Sequence, residues 1–243
     1  MPRLPWIHPG DSDTPFPPLR YALDEPNGLL AAGGNLSPRR LLMAYRRGIF
    51  PWFGDDEPIL WWSPDPRAVL FPEDLRISRS LRKTLRQGRF EHSMDQAFDA
   101  VILACAEPRR DTDETWITSD MMEAYARLHR LGWAHSVETW QGEQLVGGLY
   151  GVSVGRVFFG ESMFSRVSDA SKTALVYLVH TLAAWGYQMI DVQQDTDHMR
   201  TMGSRLIARE RFVQYLERWG DPPIPAGEWP MRPQPDAVRR SRG

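Results

Sequence analysis

Two acidic residues stand inside otherwise apolar segments of the 243-residue chain. Glu161 interrupts the segment 158–163, and Asp191 interrupts the segment 189–193, which ends in Gln193. A buried carboxylate is costly unless a cation or hydrogen-bond donors face it. Strand alternation puts Asp191 and Gln193 on the face opposite to their apolar neighbours. The pattern favours a polar pocket floor for this pair, and either a sheet edge or a cationic ligand for Glu161.

A second candidate for chemistry is the window 76–89, which holds six basic residues and no acidic one. On a helix, most of these residues fall on one face, while Leu81 and Leu85 turn towards the core. That face is either a solvated surface or a phosphate-contacting ridge, because a basic patch binds nucleic acid whatever the net charge. The candidate phosphate contacts are Arg76, Arg79, Arg82, Lys83 and Arg86.

Aromatic residues form a third candidate. Trp52, Phe53, Trp61 and Trp62 lie within eleven residues, beside prolines and a glycine. Such rings either pack in a core or, when they lie on loops, stack on an unpaired base. Trp116 allows the same two interpretations.

The elements that must position these residues follow from periodicity, caps and turns. In the N-terminal part, 26–35 is predicted as a turn-rich loop, and a helix is predicted from Ser37 to Gly48. Glycines in the strand pattern 147–151 indicate bulges or close backbone approach. The rest of the pattern predicts strands at 68–71, 133–140, 144–153, 156–163 and 189–193, and helices at 78–88, 95–105, 119–131, 169–185 and around 212–219.

This order of elements predicts an α+β fold with helices packed on a sheet. The prolines around 64–66 suit a boundary between a small N-terminal α+β domain, 1–66, and a larger domain, 67–219. The proline-rich segment 220–243 ends in several arginines and is predicted to be a basic tail.

Composition limits the function classes. A net charge of -2 with 42% apolar residues is typical of a globular protein. The single Cys105 excludes an internal disulfide and is expected in a core. The histidines lack metal-ligand spacing, no phosphate-binding GxxxxGK[ST] loop occurs, and no run reaches the ~20 apolar residues of a membrane span. We therefore expect a cytoplasmic protein without membrane contact.

The motifs together resemble the leucyl/phenylalanyl-tRNA–protein transferases over residues 16–219. Each motif is weak alone, and their order makes the resemblance specific. They are PNGLL at 26–30, GIFPWF at 48–53, LWWSPDPR at 60–67, TWIT at 115–118, GESMFS at 160–165, ASKTA at 170–174, and Ile190-Asp191-x-Gln193. Leu149 and Leu178 depart from some members, which carry Met and an aromatic residue there.

The resemblance implies transfer of Leu or Phe from aminoacyl-tRNA to proteins with N-terminal Arg or Lys, which marks them for the bacterial N-end rule degradation pathway. One methylene contributes only ~1–3 kcal/mol in an apolar pocket, so Met is expected as a weaker donor. The resemblance also implies a GNAT-like (acyl-CoA N-acyltransferase-like) larger domain and no metal or coenzyme. We expect a monomer.

The resemblance further implies a role for each candidate. Trp52 and Trp116, with Phe53 beside them, hold the terminal adenosine and the aminoacyl end. The side-chain pocket is lined by Leu149, Met163 and Ile190; Glu161 faces the basic N-terminal residue; Asp191 and Gln193 act at the attacking amine. Four of the other tryptophans, Trp61, Trp62, Trp185 and Trp219, are expected in the core.

Two rival functions remain open. An acyl-CoA-dependent N-acyltransferase needs a pyrophosphate-binding loop, and none precedes residue 169. A non-catalytic RNA-binding module accounts for the basic window and the tryptophans, but it leaves Glu161, Asp191 and Gln193 unexplained.

Overall fold

Two β-sheets organise the chain in the computed structural model, which describes residues 4–107, 117–220 and 229. The strands of one sheet lie between residues 6 and 62 and those of the other between 67 and 207. Helices pack on the larger sheet, so the predicted α+β class is confirmed. Most of the predicted tail, 220–243, and Trp116 lie outside the described residues.

The first sheet has four short strands in the order β1-β2-β4-β3. A helix, α1, lies between β2 and β3 in the chain. It begins after Ser37, whose side chain accepts a hydrogen bond from the Arg40 backbone N–H. The predicted helix is therefore confirmed. The bounds are β1 Trp6–Ile7, β2 Leu29–Gly33, α1 Pro38–Tyr45, β3 Phe50–Pro51 and β4 Leu60–Trp62.

The loop predicted over 26–35 is wrong in its centre, where β2 lies. The apolar run 29–32 pairs antiparallel with β4 and is half-buried to fully buried. Gly28 and Gly33, at φ +90° and +80°, turn the chain at the two ends. These turn signals concealed a short strand between them.

The second sheet has seven strands in the order β11-β5-β10-β9-β8-β7-β6. The strands β6 to β9 form an antiparallel meander, and β10 pairs parallel to β9. The bounds are β5 Arg67–Leu70, β6 Glu91–Met94, β7 Ala134–Gln141, β8 Gln144–Val154, β9 Val157–Ser165, β10 Met189–Gln193 and β11 Arg205–Ile207. The outermost strands β6 and β11 were not predicted, since both are short and lack an alternating apolar pattern, as edge strands often do.

Helices cover both faces of the second sheet. One core contains α3, α4, α7 and residues of the first sheet, and a second core on the other face contains α5 and the buried side of α2. Cys105 is buried in the first core, as predicted. The bounds are α2 Arg79–Gln87, α3 Phe98–Ala106, α4 Ser119–Arg130, α5 Ala170–Ala184, α6 Asp197–Thr201 and α7 Arg209–Trp219.

The predicted helix at 78–88 is confirmed in detail. The Ser78 side chain accepts a hydrogen bond from the Leu81 backbone N–H, and Gly88 ends α2 in a left-handed conformation at φ +61°. The predicted helix at 95–105 begins only at Phe98, because Asp95 adopts φ +56° and ends β6 in a turn.

The strands β9 and β10 separate at the residues that the sequence singled out. Their parallel pairing ends at Phe159 and Asp191. Beyond this point β9 bulges at Glu161, which has no partner in β8, and β10 bulges between Asp191 and Gln193. Bulges redirect side chains and are common beside active sites.

Close approach explains two glycines of the 147–151 segment, as predicted. A Cβ on Gly151 would lie 2.1 Å from the Phe159 carbonyl oxygen, and one on Gly147 would lie 2.6 Å from the Ala170 Cβ. The second contact brings the beginning of α5 tightly against β8. The cavity described next lies between this helix and the separating strands.

Candidate active site

Asp191 is fully buried and forms an ion pair with Arg67 on the neighbouring strand β5. The Arg67 Nε and Nη2 atoms donate to the two carboxylate oxygens at 2.8 and 2.7 Å. The guanidinium lies over the rings of Phe50 and Phe212, 4.8 and 4.7 Å from their centroids. Two parallel charge-assisted hydrogen bonds fix the carboxylate in one orientation.

The fixed carboxylate in turn holds the bulge of β10. The Gln193 backbone N–H donates to Asp191 Oδ1 at 3.0 Å, and Gln193 adopts φ +63°, which a non-glycine residue rarely does. Asp191 therefore positions Gln193 through the backbone rather than through the amide side chain. Strained backbone conformations of this kind are concentrated at functional sites.

Glu161 is buried beside this pair and receives three hydrogen bonds. Tyr45 of α1 donates to Oε1 at 2.8 Å, Tyr125 of α4 to Oε2 at 2.9 Å, and the Gln193 amide Nε2 to Oε1 at 2.8 Å. The hydroxyls of Tyr45 and Tyr125 also contact each other. We call Tyr45, Tyr125 and Glu161 the hydroxyl–carboxyl cluster.

Burial raises the pKa of Glu161 to about 7. The donors from Tyr45, Tyr125 and Gln193 lower this pKa, and the nearby charge of Asp191 raises it further. No cationic side chain among the described residues forms an ion pair with Glu161, whereas Asp191 has Arg67. Glu161 is therefore a buried carboxyl group that lacks a positive partner.

Gln193 joins the two carboxyl groups and presents one free oxygen. Its amide nitrogen is used by Glu161, and no described residue donates to its side-chain carbonyl oxygen. With the nitrogen held in this way, the carbonyl oxygen can accept a hydrogen bond from an incoming N–H group. The amide bridges β9 and β10 where their backbone pairing has ended.

A cavity of about 390 Å³ lies between the separating strands and α5, within the usual size range of ligand pockets. We call it the apolar cavity, because most of its wall is aliphatic or aromatic, with Glu161 at one side. All three predicted pocket residues line it. The apolar wall includes Leu149, Met163, Leu175, Leu178, Ile190 and Val192.

The aromatic candidates separate into two environments. Trp52 is 38% exposed and packs edge-on against Trp62. Trp61 and Trp62 are buried in the core, as expected. Phe53 is also buried and lines a second cavity with Thr118 and Ala124, not the apolar cavity.

The basic residues of the 76–89 window form an exposed surface beside the apolar cavity. Arg79, Arg82, Lys83 and Arg86 face solvent along α2 while Leu81 is buried, as predicted, and Arg76 is exposed just before the helix. No ion pair joins any of the five to a residue of the described ranges. We call these five residues the basic ridge.

The basic ridge is tied to the apolar cavity through α5. Thr84 on the inner side of α2 donates to Asp169 at 2.9 Å, immediately before α5 begins. Ser171, in the first turn of α5, lines the apolar cavity. The helix that carries the ridge therefore contacts the chain just before α5, whose first turn borders the cavity.

The sequence interpretation assigned no role to Arg67, Tyr45 or Tyr125. Arg67 had a signal, since an arginine that opens the apolar strand 67–70 needs a buried anion. Neither tyrosine had one, because tyrosine is common on the buried face of an ordinary amphipathic helix.

An apolar cavity with a carboxyl–amide pair at its edge and a basic ridge beside it suits a transferase that moves an apolar acyl group to an amine. Comparison with known proteins agrees. The model of the leucyl/phenylalanyl-tRNA protein transferase family matches residues 69–217, and that of its N-terminal domain matches residues 34–65. The chain belongs to the leucyl/phenylalanyl-tRNA–protein transferase family.

Individual relatives match over nearly the whole chain. The leucyl/phenylalanyl-tRNA–protein transferase of Nitrosospira multiformis is 60% identical over 88% of this chain and 91% of its own. The proteins of the same name from Pseudomonas syringae pv. syringae and Methylococcus capsulatus are 57% and 55% identical, over 94% and 95% of this chain and 99% and 98% of theirs.

Among solved structures, a GCN5-related N-acetyltransferase from Kribbella flavida aligns with a TM-score of 0.33 at 12% identity, over 70% of this chain and 61% of that one. This likeness is too distant to add to the assignment. Within the described residues, no helix combines the length and apolar character needed to cross a bilayer.

Proposed function

We propose that this protein transfers leucine or phenylalanine, and methionine more weakly, from aminoacyl-tRNA to the α-amine of proteins that begin with Arg or Lys. The observation that carries the proposal is the juxtaposition of an apolar cavity with Glu161, a buried carboxyl group that has no cationic partner among the described residues. The cavity suits an apolar donor side chain, and the carboxyl group suits a basic acceptor.

The donor is held by three surfaces in this proposal. The aliphatic wall at Leu149, Met163 and Ile190 takes the amino-acid side chain. The exposed ring of Trp52 stacks on the terminal adenosine, together with Trp116, which lies outside the described residues. The basic ridge contacts phosphates of the tRNA, which fits its exposure and its lack of ion pairs with the described residues.

The acceptor binds at Glu161 and Gln193. The positive charge of an N-terminal Arg or Lys gives Glu161 the partner that the described part of the chain does not supply. The carbonyl oxygen of Gln193 then accepts a hydrogen bond from the α-amine. Asp191 keeps Gln193 in place through its backbone N–H, and Arg67 keeps Asp191 in place.

The chemical step needs little more than this positioning. The amine nitrogen attacks the ester carbonyl carbon, a C–N bond forms, and the C–O bond to the ribose breaks while the ribose oxygen takes up a proton. The ester is already activated, and an α-amine with a reference pKa of roughly 7.7–8.0 is partly neutral near neutral pH. Holding the two reactants in contact therefore supplies most of the reduction in the activation free energy.

An amide is too weak a base to remove the proton by itself, so Gln193 orients the amine, and water or substrate takes the proton finally. We further propose that the protein acts as a cytoplasmic monomer without a metal or coenzyme. Its products would be marked for degradation by the bacterial N-end rule pathway.

One assay tests the proposal against both rivals. The protein is incubated with an Arg-starting acceptor protein and either radiolabelled Leu-tRNA or radiolabelled acetyl-CoA. Label transfer from the tRNA alone supports the proposal, and label transfer from acetyl-CoA supports the acyl-CoA enzyme. Binding of tRNA without transfer supports the RNA-binding module. An acceptor that begins with Ala and a donor charged with Asp serve as matched controls, and efficient use of either would contradict the proposed selectivity.

A further inference from the structure

Three oxygen-bearing groups of the hydroxyl–carboxyl cluster touch one another. Tyr45 contacts Tyr125, Tyr45 contacts one oxygen of Glu161, and Tyr125 contacts the other oxygen. The two tyrosines are completely buried and Glu161 is 8% exposed. Each contact is an oxygen–oxygen contact at hydrogen-bond distance, so each is favourable only if a proton lies between the two oxygens.

The cluster has too few protons for three contacts when Glu161 is ionised. Each tyrosine hydroxyl carries one proton, and a carboxylate carries none. With Glu161 in its acid form, the hydrogen bond between Glu161 and Tyr125 reverses its direction and a complete ring forms: Glu161 donates to Tyr125, Tyr125 donates to Tyr45, and Tyr45 donates back to Glu161. The Gln193 amide still donates to the carboxyl group in this arrangement.

The surroundings of Glu161 also favour its acid form while the site is empty. The negative charge of Asp191 faces it from β10, and the cation next to Asp191 is already used in an ion pair. Burial is the largest cause that raises the Glu161 pKa. Four titratable groups face the cluster: Tyr45 of α1, Tyr125 of α4, Tyr150 of β8 and Asp191 of β10, which is paired with Arg67 of β5. Cys105 of α3 lies near Tyr150, and His198 of α6 lines the cavity.

The three tyrosines and the histidine named above are neutral near neutral pH, and Asp191 and Arg67 form an ion pair with each other. Burial raises the pKa of Tyr45, Tyr125 and Tyr150 well above 10.0. Burial and the charge of Lys172 lower the pKa of His198. Glu161 is thus the group of the cluster whose charge changes near neutral pH.

We propose that Glu161 holds a proton in the empty hydroxyl–carboxyl cluster and releases it when the cationic side chain of an N-terminal Arg or Lys binds. Tyr45 and Tyr125 are positioning residues that satisfy the carboxyl group in both charge states. The inference rests on the proposed function, in which Glu161 faces the basic acceptor residue. In the bound state, both hydroxyls donate to the ionised carboxylate, and the acceptor supplies the missing positive charge.

The consequence is a linkage between acceptor affinity and pH. Below the pKa of the empty site the cation must expel a proton, so acceptor affinity falls by about tenfold for each pH unit below about 7. Above that pKa the site is already ionised, so affinity reaches its full value and no longer changes with pH through Glu161. Acceptor binding therefore strengthens as pH rises towards neutral.

Isothermal titration calorimetry measures the released proton directly. A peptide that begins with Arg is titrated into the full-length protein in phosphate and in Tris, whose ionisation enthalpies differ. Release of about one proton is expected at about pH 6 and about half a proton at about pH 7. Glu161→Gln keeps the shape of the side chain and should release none, and retained Leu-tRNA binding shows that this variant is folded.

Two further variants test the tyrosines. Each hydroxyl donates to the carboxylate, so Tyr45→Phe and Tyr125→Phe should raise the pH at which proton release is half complete. A mere loss of packing would weaken binding without moving this pH, and an unchanged value in both variants would overturn the positioning role. Binding of the peptide without proton release would overturn the proton-release inference alone. Failure of the Arg peptide to bind, with the Ala peptide as control, would contradict the proposed acceptor and this inference together.

Discussion

The ion pair between Arg67 and Asp191 permits a prediction that separates stability from activity. Arg67→Met removes the cation but keeps much of the side-chain volume, which leaves the fully buried Asp191 carboxylate without its two hydrogen bonds of 2.8 and 2.7 Å. Breaking a buried pair from one side costs about 3–5 kcal/mol. For a chain of this size, that loss corresponds to a fall of roughly 6–20 °C in melting temperature.

The double variant Arg67→Met with Asp191→Leu removes both charges. Replacing a buried pair by apolar residues of similar volume is often neutral or stabilising by about 1–4 kcal/mol. We therefore expect the double variant to regain most of the stability that the single variant lost. It should not regain activity, because the Gln193 backbone N–H has lost its acceptor and the bulge that aims the amide is no longer held.

The measurements are urea unfolding followed by fluorescence, and single-turnover transfer from Leu-tRNA to an Arg-starting acceptor. A single variant within about 1 kcal/mol of wild type would refute the energetic reasoning, since that is far below the cost of an unpaired buried charge. A stable double variant with wild-type transfer would refute the positioning role of Asp191.

Three other predictions follow from the site. Gln193→Met preserves the size of the side chain but removes the amide, so the rate of single-turnover transfer should fall about 100-fold, which is the rate contribution typical of a positioned proton-transfer group. Leu-tRNA binding, measured by filter retention, should stay unchanged. A transfer rate near wild type would exclude the amide from the reaction. Leu178→Phe adds volume to the wall of the apolar cavity, so competition between charged tRNAs should show a larger loss for Phe than for Leu, and an equal loss for both would place the donor side chain elsewhere. Arg82→Ala and Lys83→Ala should each weaken tRNA binding and reduce the slope of log Kd against log salt concentration by about 1. Arg20 is also exposed, and Arg20→Ala is the control that should leave both the affinity and the slope unchanged. An unaltered slope in the two ridge variants would remove the basic ridge from the tRNA contact surface.

Local signals were sufficient to predict the helices that carry explicit caps. Ser37 with Pro38 begins α1, and Ser78 with Gly88 bounds α2, so the structure agrees with the sequence there. The strands β6 and β11 carry no such signal, and α6, although Thr196 caps it, has only five residues. They form because neighbouring elements offer backbone partners or packing surfaces, which a local pattern does not contain.

The same distinction applies to the site. Glu161 and Asp191 could be predicted because a charge in an apolar strand is unusual in its own segment. Their partners could not, since Tyr45 lies 116 residues from Glu161 in the sequence and Arg67 lies 124 residues from Asp191. Only the folded sheet brings these residues together, and the fold places them by pairing β5 with β10 and by packing α1 against β9.

The first sheet and its helix therefore contribute atoms to the candidate site itself. Tyr45 reaches Glu161 from α1, and the Gly48 carbonyl oxygen accepts a hydrogen bond from Arg67 Nη1 at 3.1 Å. Each of the two carboxyl groups of the candidate site thus depends on atoms contributed by the first 50 residues. The N-terminal and C-terminal parts of this enzyme are not interchangeable modules, and a chimaera that joins halves from two relatives should work only when the residues at this seam match.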